Sequence, residues 1–118
     1  VVRYKKIVDG FLEKYEFFDI SFLGLGADGH TASLFKKDYN TCESVIRTIA
    51  HGYETEKRIS LNFSALNRSK LSVFIISGTG KDGVVSALVN GECGEYPAGS
   101  IKTPKYYLID SSTVNLNL

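Results

Sequence analysis

Tryptophan and methionine are absent, cysteine occurs only twice, and neither sign of charge is in excess. Without Trp or Met, the large core side chains must come from the aliphatics and from 7 Tyr and 7 Phe. Cys42 and Cys93 are too few and too far apart for a disulfide framework or a four-ligand metal site. They read as two free thiols in a reducing compartment. With 14 Lys and Arg against 13 Asp and Glu, the formal net charge is +1. Lys5-Lys6 and Lys36-Lys37 are short pairs and not a basic stripe, so nothing in the charge favours a nucleic-acid partner. No apolar run approaches the ~20 residues that span a bilayer, and the N-terminus lacks the layout of a signal peptide. No membrane partner and a cytoplasmic location are therefore expected. His51 has no metal-ligand neighbour in sequence, and no metal site is expected.

What remains is ordinary for a globular chain: 118 residues, 43% hydrophobic and 23% charged. A chain of this length is one domain of modest size, or part of one, and buries roughly two-thirds of its unfolded surface. Ile7, Val8, Phe11, Leu12 and Tyr15 recur at spacings near three and four, which predicts an amphipathic helix from Val2 to Phe18. The apolar run Ile20 to Leu25 predicts a strand buried on both faces, as in a parallel sheet. Thr31 to Phe35 reads as a short helix. Ser44 to Ala50 and Arg58 to Phe63 read as strands, and Ser64 as the cap of a helical turn running to Asn67. Leu71 to Ile76 is the clearest strand, followed by a helix over Asp82 to Val89. Gly91 to Gly99 is a loop, Lys105 to Ile109 a last strand, and Asp110-Ser111-Ser112 the cap of a terminal helix. Alternation of strand, glycine turn and helix predicts an α/β fold: a mostly parallel sheet with flanking helices, Rossmann-like.

Ligands of such sheets sit beyond the carboxyl ends of strands, and two glycine turns occupy such positions here. In the first, Gly24 to His30, Asp28 stands two residues before His30. A histidine there can serve as a general base near neutral pH, with the carboxylate orienting it. Taken alone, the same residues suit a helix-capping aspartate and a surface histidine. Thr31 and Ser33 add hydroxyls. The literal match to G-x-G-x-x-G is not followed by the helix and acidic ribose partner of a dinucleotide site. The second turn, Gly78-Thr79-Gly80-Lys81, sets a lysine beside backbone amides without the full spacing of a triphosphate loop, and suits a single phosphate. Arg58 can add a guanidinium fork to the same anion, or stand as a plain surface charge.

Leu25-Gly26-Ala27-Asp28-Gly29-His30-Thr31-Ala32-Ser33-Leu34-Phe35 resembles the signature of the 6-phosphogluconolactonases. Arg58-Ile59-Ser60-Leu61, Gly78-Thr79-Gly80-Lys81, Pro97-Ala98-Gly99-Ser100-Ile101 and a strand closing on Asp110 follow in family order. The resemblance implies a cofactor-independent hydrolase that opens 6-phospho-D-glucono-1,5-lactone to 6-phosphogluconate in the oxidative pentose phosphate pathway. It implies His30 as the base that activates water and Asp28 as its support. Arg58 and Lys81 would hold the phosphate, with Gly26, Gly29 and Thr31 lining the substrate. Backbone amides of the Gly24 to Gly29 turn are expected to assist the developing oxyanion. The related glucosamine-6-phosphate deaminases continue the Asp-Gly-His turn with Ile-Ala-Phe-Asn-Glu; here Thr31 to Phe35 carry no acid, which favours the lactonase. Two departures stand out. Lys36 replaces the usual proline, and residues 1–118 amount to about half of a family domain, the N-terminal half with its Ser/Gly-rich phosphate loop and substrate arginine being absent. A truncated non-catalytic homologue, or the lactonase part of a fused dehydrogenase-lactonase, are the alternatives the resemblance leaves open.

Overall fold

A computed structural model describes residues 1–110. The proposed cap at Ser111 and Ser112, and the terminal helix after it, lie outside the described residues. The chain opens with α1 (Val2–Tyr15). It stops three residues earlier than its apolar spacing suggests because Glu16 takes a left-handed conformation (φ 65°), its N–H donating to the Leu12 carbonyl. Only Val8 and Leu12 of its apolar stripe are buried, whereas Ile7, Phe11 and Tyr15 face outward.

Strands β1 (Ser21–Leu23), β4 (Ser72–Ile76) and β5 (Lys105–Ile109) form a parallel sheet in the order β1-β4-β5. Between β1 and β4 the chain makes an antiparallel hairpin, β2 (Val45–Ile49) and β3 (Lys57–Leu61), in register from Val45 opposite Leu61 to Ile49 opposite Lys57. Helix α2 (Phe63–Leu66) follows. Its cap is Asn62, whose side chain accepts from the Phe63 amide, and not Ser64, whose hydroxyl donates to the Glu43 carbonyl. Helix α3 (Asp82–Val89) crosses from β4 towards β5, and Pro97–Ser100 form a 3-10 turn.

One face of the sheet carries the core. Leu23, Phe74 and Ile76 pack with Leu25 and Leu34 and with Val84, Val85 and Leu88 of α3. Phe74 is fully buried, worth about 1.5–3 kcal/mol of transfer free energy. A smaller cluster of Val8, Leu12, Val45 and Ala65 ties α1 to the hairpin. The expectation that β1 is buried on both faces fails: it lies at the edge of the sheet, and Phe22 is exposed.

Parallel register places Leu23 beside Phe74. Adjacent strands lie about 4.8 Å apart, so the turns leaving β1 and β4 emerge side by side at their carboxyl ends. This is how residues some fifty positions apart in sequence come to share one cleft.

Candidate active site

The segment after β1 does not become a helix. Thr31 and Leu34 form an isolated β-bridge, with the Leu34 amide donating to the Thr31 carbonyl at 2.9 Å. Ala32 between them has φ 50°, a left-handed conformation incompatible with a helix of L-residues. The Ser33 amide donates to Ser60 Oγ on β3 at 3.1 Å, so the hairpin anchors this turn. The predicted helix over Thr31 to Phe35 is thus replaced by a tight turn, and no helix starts directly after the first glycine loop.

Within that loop His30 folds back over Gly26. A Cβ on Gly26 would overlap the imidazole at Cε1 and Nδ1 and would sit 2.7 Å from Asp28 Oδ1. Gly29 (φ 82°) is needed for a second reason, since a Cβ there would press into the Tyr96 ring. Ala98 N–H donates to the Gly29 carbonyl at 2.9 Å, fastening the Pro97–Ser100 turn to the same loop. The Gly26 amide donates to the His30 carbonyl at 2.9 Å and the Gly29 amide to the Gly26 carbonyl at 3.0 Å. Both N–H groups are therefore committed within the turn and do not point an oxyanion contact outward. Buried Thr31 donates its hydroxyl to the Gly24 carbonyl at 2.8 Å, which closes the base of the loop.

Asp28 and His30 form a pair, Nδ1 lying 2.5 Å from Oδ1, and the His30 amide also donates to Asp28 Oδ1 at 3.1 Å. A carboxylate at Nδ1 holds the ring proton on that nitrogen and leaves Nε2 as the basic one. Burial pushes the Asp28 carboxyl up, but bonds from the His30 side chain and amide, its charge and the Tyr53 hydroxyl outweigh it. The carboxyl lies below its ordinary value. Phe35 packs against the imidazole in a tilted arrangement at 4.7 Å between ring centres, and Tyr53 meets it edge-on at 5.6 Å.

Tyr53 is the residue that motif reading misses. Its hydroxyl donates to Asp28 Oδ2 at 3.2 Å and lies 3.3 Å from His30 Nδ1. Burial, the Asp28 charge and this bond push its own ionisation above the usual value, so it remains a donor. As the single aromatic in the polar stretch His51 to Lys57, it offers one faint signal in sequence.

His30, Thr31, Gly24, Gly26, Ser77 and Lys81 line one cleft of about 450 Å³. Lys81 immediately precedes α3 and turns its side chain back over Gly78. Arg58 is not brought into this cleft. Its Nε donates to the Thr55 carbonyl at 2.6 Å, and its guanidinium lies over the Tyr53 ring at 5.8 Å, one residue removed from the Asp28–His30 pair. His51 is exposed. Among the described residues no three His, Cys, Asp or Glu side chains gather as a metal site, and no helix is long and apolar enough to cross a membrane.

A family model for glucosamine-6-phosphate isomerases/6-phosphogluconolactonase matches residues 1–109. The chain belongs to this family. The 6-phosphogluconolactonase of Haemophilus influenzae is 32% identical over 106 residues, covering 84% of this chain and 45% of that protein. That of Aggregatibacter actinomycetemcomitans is 33% identical over 87 residues, covering 71% and 38%. The crystal structure of the Thermotoga maritima 6-phosphogluconolactonase superposes with a TM-score of 0.74 at 28% identity, over 89% of this chain and 49% of that one. These likenesses show the α/β fold of the glucosamine-6-phosphate isomerase/6-phosphogluconolactonase family. The chain spans less than half the length of these family members.

The Asp28 carboxyl predicts an acid limb in stability. Its value is lower in the folded chain than the ~3.9 of an unfolded aspartate. The stabilisation is therefore complete above about pH 4 and disappears as the pH falls through the lower folded value. Urea midpoints measured between pH 2 and 6 should show Asp28→Asn losing stability at the upper end and flattening this limb. An unchanged limb in the variant would contradict the pairing.

Proposed function

We propose that this chain is the base-bearing half of a 6-phosphogluconolactonase domain, hydrolysing 6-phospho-D-glucono-1,5-lactone to 6-phosphogluconate once that domain is complete. The observation that carries the reading is the Asp28–His30 pair, 2.5 Å apart, whose His30 shares a cleft with Lys81. His30 Nε2 removes a proton from water as the water oxygen attacks the lactone carbonyl. The tetrahedral intermediate collapses with cleavage of the ring C–O bond, and the imidazolium returns its proton to the departing ring oxygen. Asp28 stays ionised throughout and stabilises the imidazolium, as the carboxylate of a catalytic triad does. No cofactor enters this scheme. The compartment we propose is the cytoplasm, whose reducing conditions suit the two free thiols, exposed Cys42 and half-buried Cys93.

Lys81 is the principal phosphate cation in this scheme and Arg58 the lesser one, because Arg58 stands outside the cleft, bonded to Thr55. Loss of a charge-assisted bond of about 1.5–3 kcal/mol corresponds to roughly 10- to 100-fold in affinity. Lys81→Ala should therefore raise KM for the phosphorylated lactone by about that factor and leave the unphosphorylated lactone nearly unaffected. Arg58→Ala should show the smaller shift of the two. Equal effects of Lys81→Ala on both lactones would remove the phosphate role. Release of ammonia from glucosamine 6-phosphate, in place of acid from the lactone, would overturn the activity itself.

A further inference from the structure

Residues 51–57, between the two strands of the hairpin, are all exposed, yet the turn they make is closed by bonds of its own. The amide of fully buried Ala50 donates to the Glu56 carbonyl at 2.7 Å, and the Tyr53 amide donates to the Ala50 carbonyl at 3.1 Å. Arg58 adds the bond from its Nε to the Thr55 carbonyl and lays its guanidinium over the Tyr53 ring. On the glycine-loop side, the Phe35 ring lies 5.5 Å from that of Tyr53 between centres. These contacts together fix the direction of one side chain. The Tyr53 ring is 40% exposed, so water was open to its hydroxyl. The hydroxyl is set against Asp28 and His30 instead.

Asp28 needs such a partner. Its side chain is 51% exposed, against 20% for His30, so water competes for the carboxylate. Oδ1 accepts from the His30 ring and amide, whereas Oδ2 accepts from Tyr53 alone among the described residues. The terminal torsion of an aspartate is broad and two-fold, and a carboxylate held at one oxygen can turn out of the imidazole plane. A bond to the second oxygen removes that freedom. The same hydroxyl oxygen lies 3.3 Å from His30 Nδ1. Its own proton goes to Oδ2, because a carboxylate only accepts, and a lone pair is left facing the Nδ1 proton. The three groups thus close a small network with one consistent arrangement of protons, and in it Nε2 stays basic. Burial and the Asp28 charge raise the ionisation of Tyr53, which keeps the hydroxyl a donor at neutral pH.

We infer that Tyr53 is a positioning residue of the hydrolytic site: from the hairpin turn its hydroxyl locks the Asp28 carboxylate and, through it, the orientation and tautomer of His30. The role rests on the proposed lactonase reading, in which His30 is the base. Tyr53→Phe tests it, because the ring and its contacts stay and one oxygen goes. Two readouts are taken on the chain within a completed lactonase domain. In the first, kcat for the phosphorylated lactone should fall about 10-fold, the lower end of what a bond to a charged group is worth. KM should stay within about twofold, since Tyr53 is assigned no contact with substrate. In the second, read by NMR without substrate, the His30 Nδ1 proton should exchange with water at least about tenfold faster, because exchange requires Asp28 to swing away. Tyr15→Phe, at an exposed tyrosine of α1, should change neither readout. A Tyr53→Phe protein with wild-type kcat, or with unchanged Nδ1 exchange, overturns the inference, and so does a loss carried by KM alone, which would make Tyr53 a substrate contact. Failure of the wild-type protein to hydrolyse the lactone would sink the lactonase reading instead, and the exchange rate would still decide whether Tyr53 holds the pair.

Discussion

Replacing His30 with alanine is expected to lower kcat for lactone hydrolysis by about 10²–10⁴-fold, the range over which a positioned general base accelerates proton transfer. The measurement is made on the chain joined to its complementary half, with acid release followed against the uncatalysed rate. KM should change little, because His30 is assigned to the attacking water and Lys81 to the phosphate. Asp28→Asn makes the sharper companion. An amide at Oδ1 can donate as well as accept, so it no longer holds the proton on Nδ1, and the basic lone pair is free to appear on the wrong nitrogen. The variant should keep its fold near neutral pH and still lose most of the rate. If His30→Ala retains the wild-type rate, the base lies elsewhere; if Asp28→Asn alone retains it, the 2.5 Å contact is a structural pair only.

How far these residues could be read from sequence depended on whether their partners were local. Helix α3 over Asp82–Val89 and strand β5 over Lys105–Ile109 have the bounds their patterns predict, because periodicity and the flanking turn residues all lie within one window. The Asp28–His30 pair is also local, two residues apart. By contrast, Thr31 to Phe35 fits a helical period, yet Ser60 on β3 and the left-handed Ala32 make it a turn. Tyr53 reaches Asp28 across 25 positions through the bend between β2 and β3, and no spacing rule reports that. Ile20 to Leu25 is the instructive case. Its apolar run implies burial on both faces, and the structure leaves Phe22 bare. An apolar run reports side-chain type and not whether a strand stands at the edge of its sheet, where β1 lies.

Gly26→Ala should be nearly as damaging to catalysis as loss of His30 itself, although alanine touches no substrate. The added Cβ would occupy the space of the His30 ring and come within 2.7 Å of Asp28 Oδ1. The loop cannot yield simply by opening at this point, since the Gly26 amide is bonded to the His30 carbonyl and the Gly26 carbonyl to the Gly29 amide. The imidazole must swing outward, away from Asp28 and from its contacts with Phe35 and Tyr53. A displacement of about 1 Å in a catalytic group can cost on the order of 10²-fold in rate, and this one is larger than a methyl contact. We expect kcat to fall at least about 10²-fold while KM for the phosphorylated lactone stays close to its starting value. Gly10→Ala supplies the contrast, because nothing lies within 4 Å of its Cβ and alanine favours helix by about 1 kcal/mol over glycine. That variant should gain stability and keep its rate. Histidine ring resonances, which report the Nδ1 proton held by Asp28, should shift in Gly26→Ala and remain in place in Gly10→Ala. A Gly26→Ala protein with normal turnover would mean that His30 works from a different rotamer, and the pairing with Asp28 would then have no part in the chemistry.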